Sequence, residues 1–499
     1  MDRRIRISLI VVVVLALAYP AAAWLLGLSV ERQWTQREQH VLEQIPYITV
    51  VKRDYRRGVY SSTEEVTYGL GDSILKTVRA AGQDWANHAQ FSVRNTIHHG
   101  PLPQMRAFAP ATVDTEIVLP PEVRAKLAGI LGKQGGLTIH TRMKWFGGGT
   151  TVLKSTSFQV QTPQGGEFAW RGLDAQVDLG RNYGTQSATA ATPGFSVKSP
   201  TANVNFGSFK LNSDMQLAFE TLNVGTAHIT LSDLDIDEQT KNFKLTVQGL
   251  TIDTTSQVSG EFINNDFTLS TGAVQAQKFA ATRIGYDVHL DHVHGPSAAT
   301  LVQAIRAAQA AAATSFPPKD AGPKILDAFK TSGVDLLAHD PILDVRNTGF
   351  TTPDGELVLS LKATLPGITR ADLDVNPQLL TGAVLKFLQA SVDVRIDTAL
   401  LDKLLDSSGQ GDTVTGQLQG LQRQGYIKLD GKALTTHLSF QNGRLKVNDL
   451  PFPPMPSAMP GGPGMPGGPG MPGGPGRPGM PGGPGPGKQG MPRAPGAPH

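Results

Sequence analysis

The chain has 499 residues, 45 of them basic and 42 acidic, and its formal net charge is only +3. Such a balance argues against a nucleic-acid-binding protein, which ordinarily carries a strongly basic face. The chain contains no cysteine, which excludes disulfides, thiol catalysis, thiolate zinc sites and iron–sulfur clusters. This length predicts several domains or one large elongated body.

The N-terminus carries the strongest single signal in the chain. Ile7–Val30 contains no charged residue, and three arginines precede it at positions 3, 4 and 6. A helix of this length, rising about 1.5 Å per residue, crosses a hydrocarbon core of about 30 Å. Basic flanks stay in the cytoplasm, and Trp24 suits the membrane interface. We therefore predict a single-pass bacterial inner-membrane protein with cytoplasmic residues 1–6, a transmembrane signal anchor at 7–30 and a periplasmic body.

A second interpretation of this segment is a cleaved signal peptide. The small residues Ala21-Ala22-Ala23 fit a signal-peptidase site. The apolar run nevertheless continues through Trp24–Leu28, which a signal peptide does not require. We favour the uncleaved anchor, whose partner would be the lipids of the cytoplasmic membrane.

Residues 31–295 show mainly the pattern of β-strands. Apolar and polar residues alternate in 137–145, 243–247 and 267–270, which predicts one buried and one solvated face. A short helix is predicted at Pro121–Leu131, with a proline in its first turn. The many strands in series predict one or more large, curved antiparallel sheets.

Residues 296–450 mix helices with strands and are expected to complete the same body. Strands are predicted around 342–345 and 356–361, and Asn442-Gly443 is the strongest two-residue hairpin signal. Helix propensity and apolar stripes predict helices at Ser297–Ala313, Lys324–Leu337, Pro377–Gln389, Asp397–Leu405 and 413–424. The predicted fold class is therefore α+β and mostly β, with a few inserted helices.

Residues 451–499 are rich in Gly, Pro and Met. Glycine recurs at every third position from 461 to 485, which is the collagen spacing. The repeat is short, so we predict a disordered, polyproline-like tail. Its thioethers, Met465 and Met471 among them, are soft ligands that suit Cu(I), although expansion of a Gly-Pro repeat would also produce them without any function.

Two histidines are the best metal candidates in the predicted body. His292 and His294 share one face of a strand, yet they supply only two ligands, fewer than a zinc site uses. His98-His99 precedes Gly100-Pro101 and is predicted to lie in a loop. The sequence contains no nucleophile elbow, Walker-type phosphate loop or zincin motif. We therefore predict no catalytic residues, no metal and no cofactor.

Three short motifs resemble the YdgA-like family of bacterial envelope proteins. The first is a turn with Gly58 and the serine pair Ser61-Ser62, and the second is the Trp170-x-Gly172 element before a strand. The third is the closing hairpin with Asn442-Gly443. The resemblance covers roughly residues 1–450 in layout. It implies an inner-membrane-anchored, β-rich periplasmic protein of unknown function, and it implies no catalytic residues.

These observations support three functional hypotheses. The leading one is a non-enzymatic interaction or structural module that displays a β-rich body to envelope protein partners, with a homo-oligomer left open. The first alternative is a lipid-binding or lipid-transfer protein with an apolar β groove. The second is an envelope hydrolase, whose signature would be a buried carboxylate pair or a Ser–His contact in one cleft. The packing of the strands around residues 200–290 should separate a filled core from an open groove.

Overall fold

The computed structural model describes residues 3–44, 48–71, 75, 90–118, 136–161, 165–277, 279–313, 322–374, 380–408 and 411–452. In the first helix, side chains are described for residues 18–39 and 42. The chain forms two units, Met1–Pro453 and Pro454–His499, the second of which lies outside the described residues. The predictions for Met465 and Met471 and for a helix at Pro121–Leu131 also fall outside them.

The described part of the chain is mostly strand. The strands are β1 (Ile48–Arg57), β2 (Ser61–Leu70), β3 (Gln90–His99), β4 (Ala111–Val118), β5 (Leu137–Met143), β6 (Gly149–Ser155), β7 (Phe158–Gln161), β8 (Glu167–Trp170), β9 (Leu173–Leu179), β10 (Thr185–Thr192), β11 (Phe195–Lys198), β12 (Ala202–Phe206), β13 (Phe209–Ala218), β14 (Leu222–Glu238), β15 (Phe243–Ser259), β16 (Phe262–Thr271), β17 (Val274–Ala276), β18 (Phe279–Ala281), β19 (Arg283–His294), β20 (Ile342–Thr352), β21 (Gly355–Thr364), β22 (Gln389–Asp397), β23 (Lys428–Asp430), β24 (Ala433–Gln441), β25 (Arg444–Val447) and β26 (Leu450–Pro451).

Helices begin the chain and interrupt its C-terminal third. They are α1 (Arg3–Gln44), α2 (Gly295–Ala313), α3 (Gly322–Ala328), α4 (Val334–Leu337), α5 (Arg370–Leu373), α6 (Leu380–Phe387), α7 (Thr398–Ser408) and α8 (Gly411–Arg423). A π-helical segment, Phe329–Gly333, joins α3 to α4. The predicted helices at 297–313, 397–405 and 413–424 are confirmed within a few residues, and the predicted helix at 324–337 corresponds to α3, this segment and α4.

The strands form a single antiparallel sheet in which most neighbours follow one another in sequence. Its main order is β1-β2-β3-β4-β5-β6-β9-β10-β13-β14-β15-β16-β19-β20-β21-β22-β24-β25-β26. The sheet forks at β14, which pairs with β13 along its first half and with β12 along its second. The side branch continues through β11, β8 and β7. The predicted large antiparallel sheet is confirmed.

Helix α1 packs along β1–β5 and forms the first hydrophobic core. Val30 belongs to one cluster with Ile97, Ala111, Val113 and Met143, and all five side chains are buried. Apolar side chains facing a helix lose their contact with water, which stabilises the pair by roughly 1.5–3 kcal/mol for each large residue. A second core joins α4, α5 and α6 to the loop after β21. A third lies where α2 and α4 meet Val224, Ile263 and Val293 of β14, β16 and β19.

Two sequence-based expectations differ from this fold. Val30 was expected to end a membrane segment, yet Ala23 and Val30 are fully buried against the sheet. His98 and His99 were expected in a loop, but they end strand β3, and His99 is buried beneath α1. Within the described residues, no helix combines the length and the apolar character needed to cross a membrane.

Candidate functional site

A buried Ser–His contact lies under helix α1. Ser62 Oγ and His99 Nε2 are 2.9 Å apart, and His99 Nδ1 is 3.1 Å from the backbone oxygen of Ala23. A carbonyl oxygen can only accept, so Nδ1 carries the proton and Nε2 accepts from the serine hydroxyl. Gly27 makes room for the ring, because a Cβ there would lie 3.0 Å from His99 Cε1.

This Ser–His pair has the contact expected of a nucleophile and its base, but its surroundings do not suit catalysis. Both side chains are fully buried, and the second ring nitrogen of His99 bonds a helix carbonyl instead of a carboxylate. Burial, the largest effect, lowers the pKa of His99, which keeps the imidazole neutral. The pair therefore fastens α1 to β2 and β3 and leaves no room for a substrate.

A second polar cluster lies two residues further along β2. The buried carboxylate of Glu64 accepts hydrogen bonds from Trp34 Nε1 at 2.8 Å and Asn95 Nδ2 at 2.9 Å. Arg53 Nε lies 3.5 Å from its other oxygen. Buried carboxylates are tolerated only when paired in this way. Glu64 and His99 together hold the segment 23–38 of α1 on the sheet, and we call them the docking cluster.

An apolar row crosses nine strands of the sheet. The residues of this row pair directly with one another from β5 to β19, and they are Ile139, Leu153, Ala175, Ala190, Leu211, Ile229, Ile252, Leu269 and Tyr286. Residues directly opposite each other share one face of a sheet. At about 4.8 Å between strands, the row is roughly 38 Å long. We call this side of β5–β19 the apolar face.

The reverse side of the same strands is polar. The row next to the first one consists of Thr138, Lys154, Asp174, Ala191, Lys210, Thr230, Thr251 and Ser270. Because successive side chains of a strand point to opposite faces, this alternation gives the sheet one solvated and one apolar side. A sheet of this type normally buries its apolar side against a second layer.

Along the row itself the described residues supply no such layer, and on this side of the sheet α2 and α4 pack only near the ends of β16 and β19, at Ile263 and Val293. The eight aliphatic members of the row are only partly buried, and Tyr286 is exposed. Under α1, by contrast, the corresponding positions Val66, Ile97 and Val113 have no exposed surface. Burial is therefore complete where α1 covers the sheet and only partial along the row from Ile139 to Leu269.

The boundary between the covered and open parts follows α1. A second cross-strand row runs Ile97, Val113, Thr141, Thr151, Val177. Its exposed fraction is 0% at Ile97 and Val113 and 2% at Thr141, but 37% at Val177. Arg37 of α1 bonds the Thr151 hydroxyl at 2.8 Å, which marks the edge of the helix. The apolar face thus opens directly beside α1.

The side branch adds an aromatic cluster to the sheet. Trp170 and Phe206 both stack on Phe195, and Trp170 Nε1 donates to Ser155 Oγ at 2.8 Å. Gly172 has φ +102, and its carbonyl accepts a bond from the Thr192 hydroxyl. The Trp170-x-Gly172 motif is therefore a structural junction between the main sheet and its branch.

The remaining motif residues are also structural. The amide of Gly58 donates to the Ser61 carbonyl, and a Cβ at Gly58 would lie 2.6 Å from that oxygen. Asn442 and Gly443 have φ +52 and +70, as the predicted two-residue hairpin requires. Of the serine pair, Ser61 is exposed, whereas Ser62 belongs to the contact with His99.

The two candidate metal ligands have other partners. His292 has φ +57, lies at a bulge in β19 and stacks on Phe262 at 3.8 Å. His294 bonds Ser297 at 2.7 Å and stacks on His339 at 3.7 Å. Burial, and then the neighbouring His339, lower the pKa of His294. In the part of the chain that the structure describes, no three His, Asp or Glu side chains form a metal-binding group.

Sequence reasoning did not identify Glu64 and His99 as a unit. Ser62, Glu64 and Val66 alternate along β2 and all face α1. An alternating strand with two polar members ordinarily indicates a solvated face, so the signal for a buried polar cluster is weak. Only the contact with α1 shows which face is buried.

Comparison with known proteins places the chain in one family. It belongs to the family described as bacterial protein of unknown function (DUF945), whose model matches residues 1–455. Neither curated proteins nor solved structures gave a match to this chain. The matched range includes α1 and the whole sheet, and it ends before most of the Gly-Pro-Met segment.

Proposed function

We propose that this bacterial protein is a non-enzymatic, membrane-anchored envelope protein whose apolar face holds lipid acyl chains. The observation that carries the proposal is the loss of burial from Ile97 to Val177, where an apolar sheet side emerges from under α1. Large exposed apolar patches on a folded protein mark binding sites. Each methylene group of a ligand buried there contributes about 0.8 kcal/mol.

An acyl chain suits this surface better than a compact ligand does. The row from Ile139 to Leu269 is long, aliphatic and free of charge, so it offers dispersion contacts without any fixed polar group to orient a small molecule. Lysines and aspartates on the reverse side keep that face in water. This favours the lipid alternative over a general interaction module.

The location in the envelope is proposed from the sequence. Because the docking cluster occupies Ala23 and the residues after it, the anchor that we propose is Ile7–Ala22, about 24 Å of helix at 1.5 Å per residue. Membranes accommodate slightly short segments by thinning and by extension of flanking arginines. The N-terminus would then lie in the cytoplasm and the sheet in the periplasm, as the YdgA-like resemblance also implies.

The hydrolase alternative receives no support from the Ser–His contact. Ser62 and His99 are enclosed by α1, and each of their polar atoms already has a structural partner. Opening the site to a substrate would require α1 to leave the sheet, which would expose Val30 and Ile97.

Photo-crosslinking at neighbouring residues tests the proposal. A photoreactive amino acid replaces Leu211 on the apolar face in one variant of the full chain and Asn212 on the reverse side in the other. In cells whose phospholipids carry radioactive phosphate, we expect labelled protein from the Leu211 variant and none from the Asn212 variant. Equal labelling, or none at either position, would overturn the proposal. A protein crosslink at Leu211 would instead support the interaction module, and a crosslink between two copies a homo-oligomer.

A further inference from the structure

Three connections between strands lie at the same end of the sheet. They are the β1–β2 turn (58–60), the β3–β4 loop (100–110) and the β5–β6 turn (144–148). Because successive antiparallel strands reverse direction, every second connection of a meander lies at one end. We call these three segments the tip.

The tip presents large apolar side chains to solvent. Phe146 is 81% exposed, Met105 is 78% exposed and Phe108 is 73% exposed. Val59 and Tyr60 of the first turn are also exposed. Isolated exposed apolar residues are ordinary, but a cluster on adjacent turns marks an interaction surface.

Side-chain contacts join the three segments to each other and to α1. The Tyr19 ring stacks on Tyr60 at 6.0 Å, and its hydroxyl donates to the Leu102 carbonyl at 2.8 Å. Phe108 packs on Trp145 at 5.0 Å, which connects the loop to the last turn. The tip is therefore one structural unit that meets α1 at Tyr19.

The loop and the last turn of the tip each contain a left-handed backbone conformation. Met105 has φ +57 in the loop, while Gly148 has φ +77 in the last turn. A Cβ at Gly148 would lie 2.2 Å from the Leu179 carbonyl, so only glycine fits there. Glycine adopts a positive φ freely, whereas the same conformation strains a residue such as Met105, and strain of this kind clusters at functional sites. Met105 therefore combines a costly backbone conformation with a side chain that is 78% exposed.

We infer that the tip inserts into the outer leaflet of the membrane that holds the anchor. Three observations favour a lipid surface over a protein partner. The apolar run up to Ala22 lies in the same helix that meets the tip at Tyr19. The exposed side chains include the aromatic types favoured at membrane interfaces. The three segments contain Arg106 and Lys144 but no acidic residue, which suits anionic headgroups.

The inference rests on the proposed anchor, and it gives the anchor a second function. A lone helix would leave the body free to tilt, whereas a helix and an inserted tip fix the sheet at a defined angle. The apolar face begins beside α1. Insertion of the tip would therefore also hold that end of the apolar face close to the membrane lipids.

Single-cysteine variants test the inference, because the natural chain has no cysteine. Nitroxide labels are placed at Phe146→Cys and Met105→Cys in the full chain, reconstituted in vesicles of phosphatidylethanolamine and phosphatidylglycerol. Thr240→Cys, in the polar β14–β15 turn, is the matched control, and Val13→Cys reports on the anchor. The measurement is the accessibility of each label to oxygen, which partitions into lipid, relative to a water-soluble nickel chelate.

We expect the oxygen-to-nickel accessibility ratio at positions 105 and 146 to rise clearly above that at position 240. Ratios equal to the control would overturn the inference. A high ratio at position 13 together with ratios at the tip equal to the control would support the anchor and reject insertion of the tip. Lipid ratios at the tip with an aqueous position 13 support the tip contact without the anchor. Labels shielded from both reagents indicate a protein partner and overturn the inference.

Discussion

The docking cluster gives the sharpest quantitative prediction, through the substitution Glu64→Leu. The leucine has no acceptor, so the buried N–H groups of Trp34 and Asn95 lose their partner. Each unsatisfied donor costs about 1–3 kcal/mol, and removing one member of a buried charged pair costs about 3–5 kcal/mol. The two penalties describe the same contacts and are not added. We therefore expect the docked state of α1 to be destabilised by about 3–5 kcal/mol relative to the undocked state.

Amide hydrogen exchange of the full chain measures this loss directly. Since 1.4 kcal/mol is tenfold in an equilibrium constant, peptides from 23–38 should exchange roughly a hundred- to several-thousand-fold faster in Glu64→Leu. Glu64→Gln keeps one acceptor oxygen and should show about half the loss in free energy.

The neighbouring residue on β2 provides the matched control. Glu65 lies on the opposite face and makes an exposed ion pair with Arg94. Exposed pairs contribute about 0–1 kcal/mol, so Glu65→Leu should leave exchange in 23–38 nearly unchanged. If Glu64→Leu and Glu65→Leu gave the same exchange rates, the assignment of Glu64 to helix docking would be wrong.

Three further predictions concern the same helix and the turns. Burial lowers the pKa of His99 below its ordinary value of 6.5. Helix α1 should therefore be fully docked above pH 6.5, and its amides should lose protection against hydrogen exchange as the pH falls. The comparison uses exchange rates corrected for the intrinsic effect of pH. This dependence should vanish in His99→Gln. Val30→Ala should lower the free energy of α1 docking, measured by hydrogen exchange, by about 2–3 kcal/mol. Leu25→Ala, on the exposed side of the helix, should lower it by less than about 0.5 kcal/mol. Gly148→Ala should lower stability by about 3 kcal/mol or more in thermal melts, against about 1–2 kcal/mol for Gly443→Ala, which meets no neighbouring atom. Equal effects within either pair would contradict the packing described above.

Local signals predicted the elements of this fold well. Alternation along 137–143 and 243–247 depends on which side chains neighbour each other on one strand, and the pattern is visible in a short window. Asn442-Gly443 predicted its hairpin because both backbone positions accept positive φ. The helix at 295–313 followed from its composition of Ala, Leu and Gln.

The sequence misplaced what depends on distant contacts. It assigned Ala23–Val30 to the membrane because an apolar helix that crosses lipid and one that packs on a sheet have the same composition. The difference lies in residues far along the chain: His99 bonds Ala23 across 76 positions, and Glu64 bonds Trp34 across 30.

The sequence by itself thus determined the apolar N-terminal run, the dominance of strands and the two-sided character of each strand. Only the tertiary structure decided which sides are covered. Period-two alternation shows that one face of a strand is apolar, but burial depends on whether another element packs there. Helix α1 covers β1–β5, and its coverage ends at Thr151 in β6. Beyond that edge the row from Ala175 to Leu269 is only partly buried among the described residues, and α2 and α4 cover the sheet again at Ile263 and Val293.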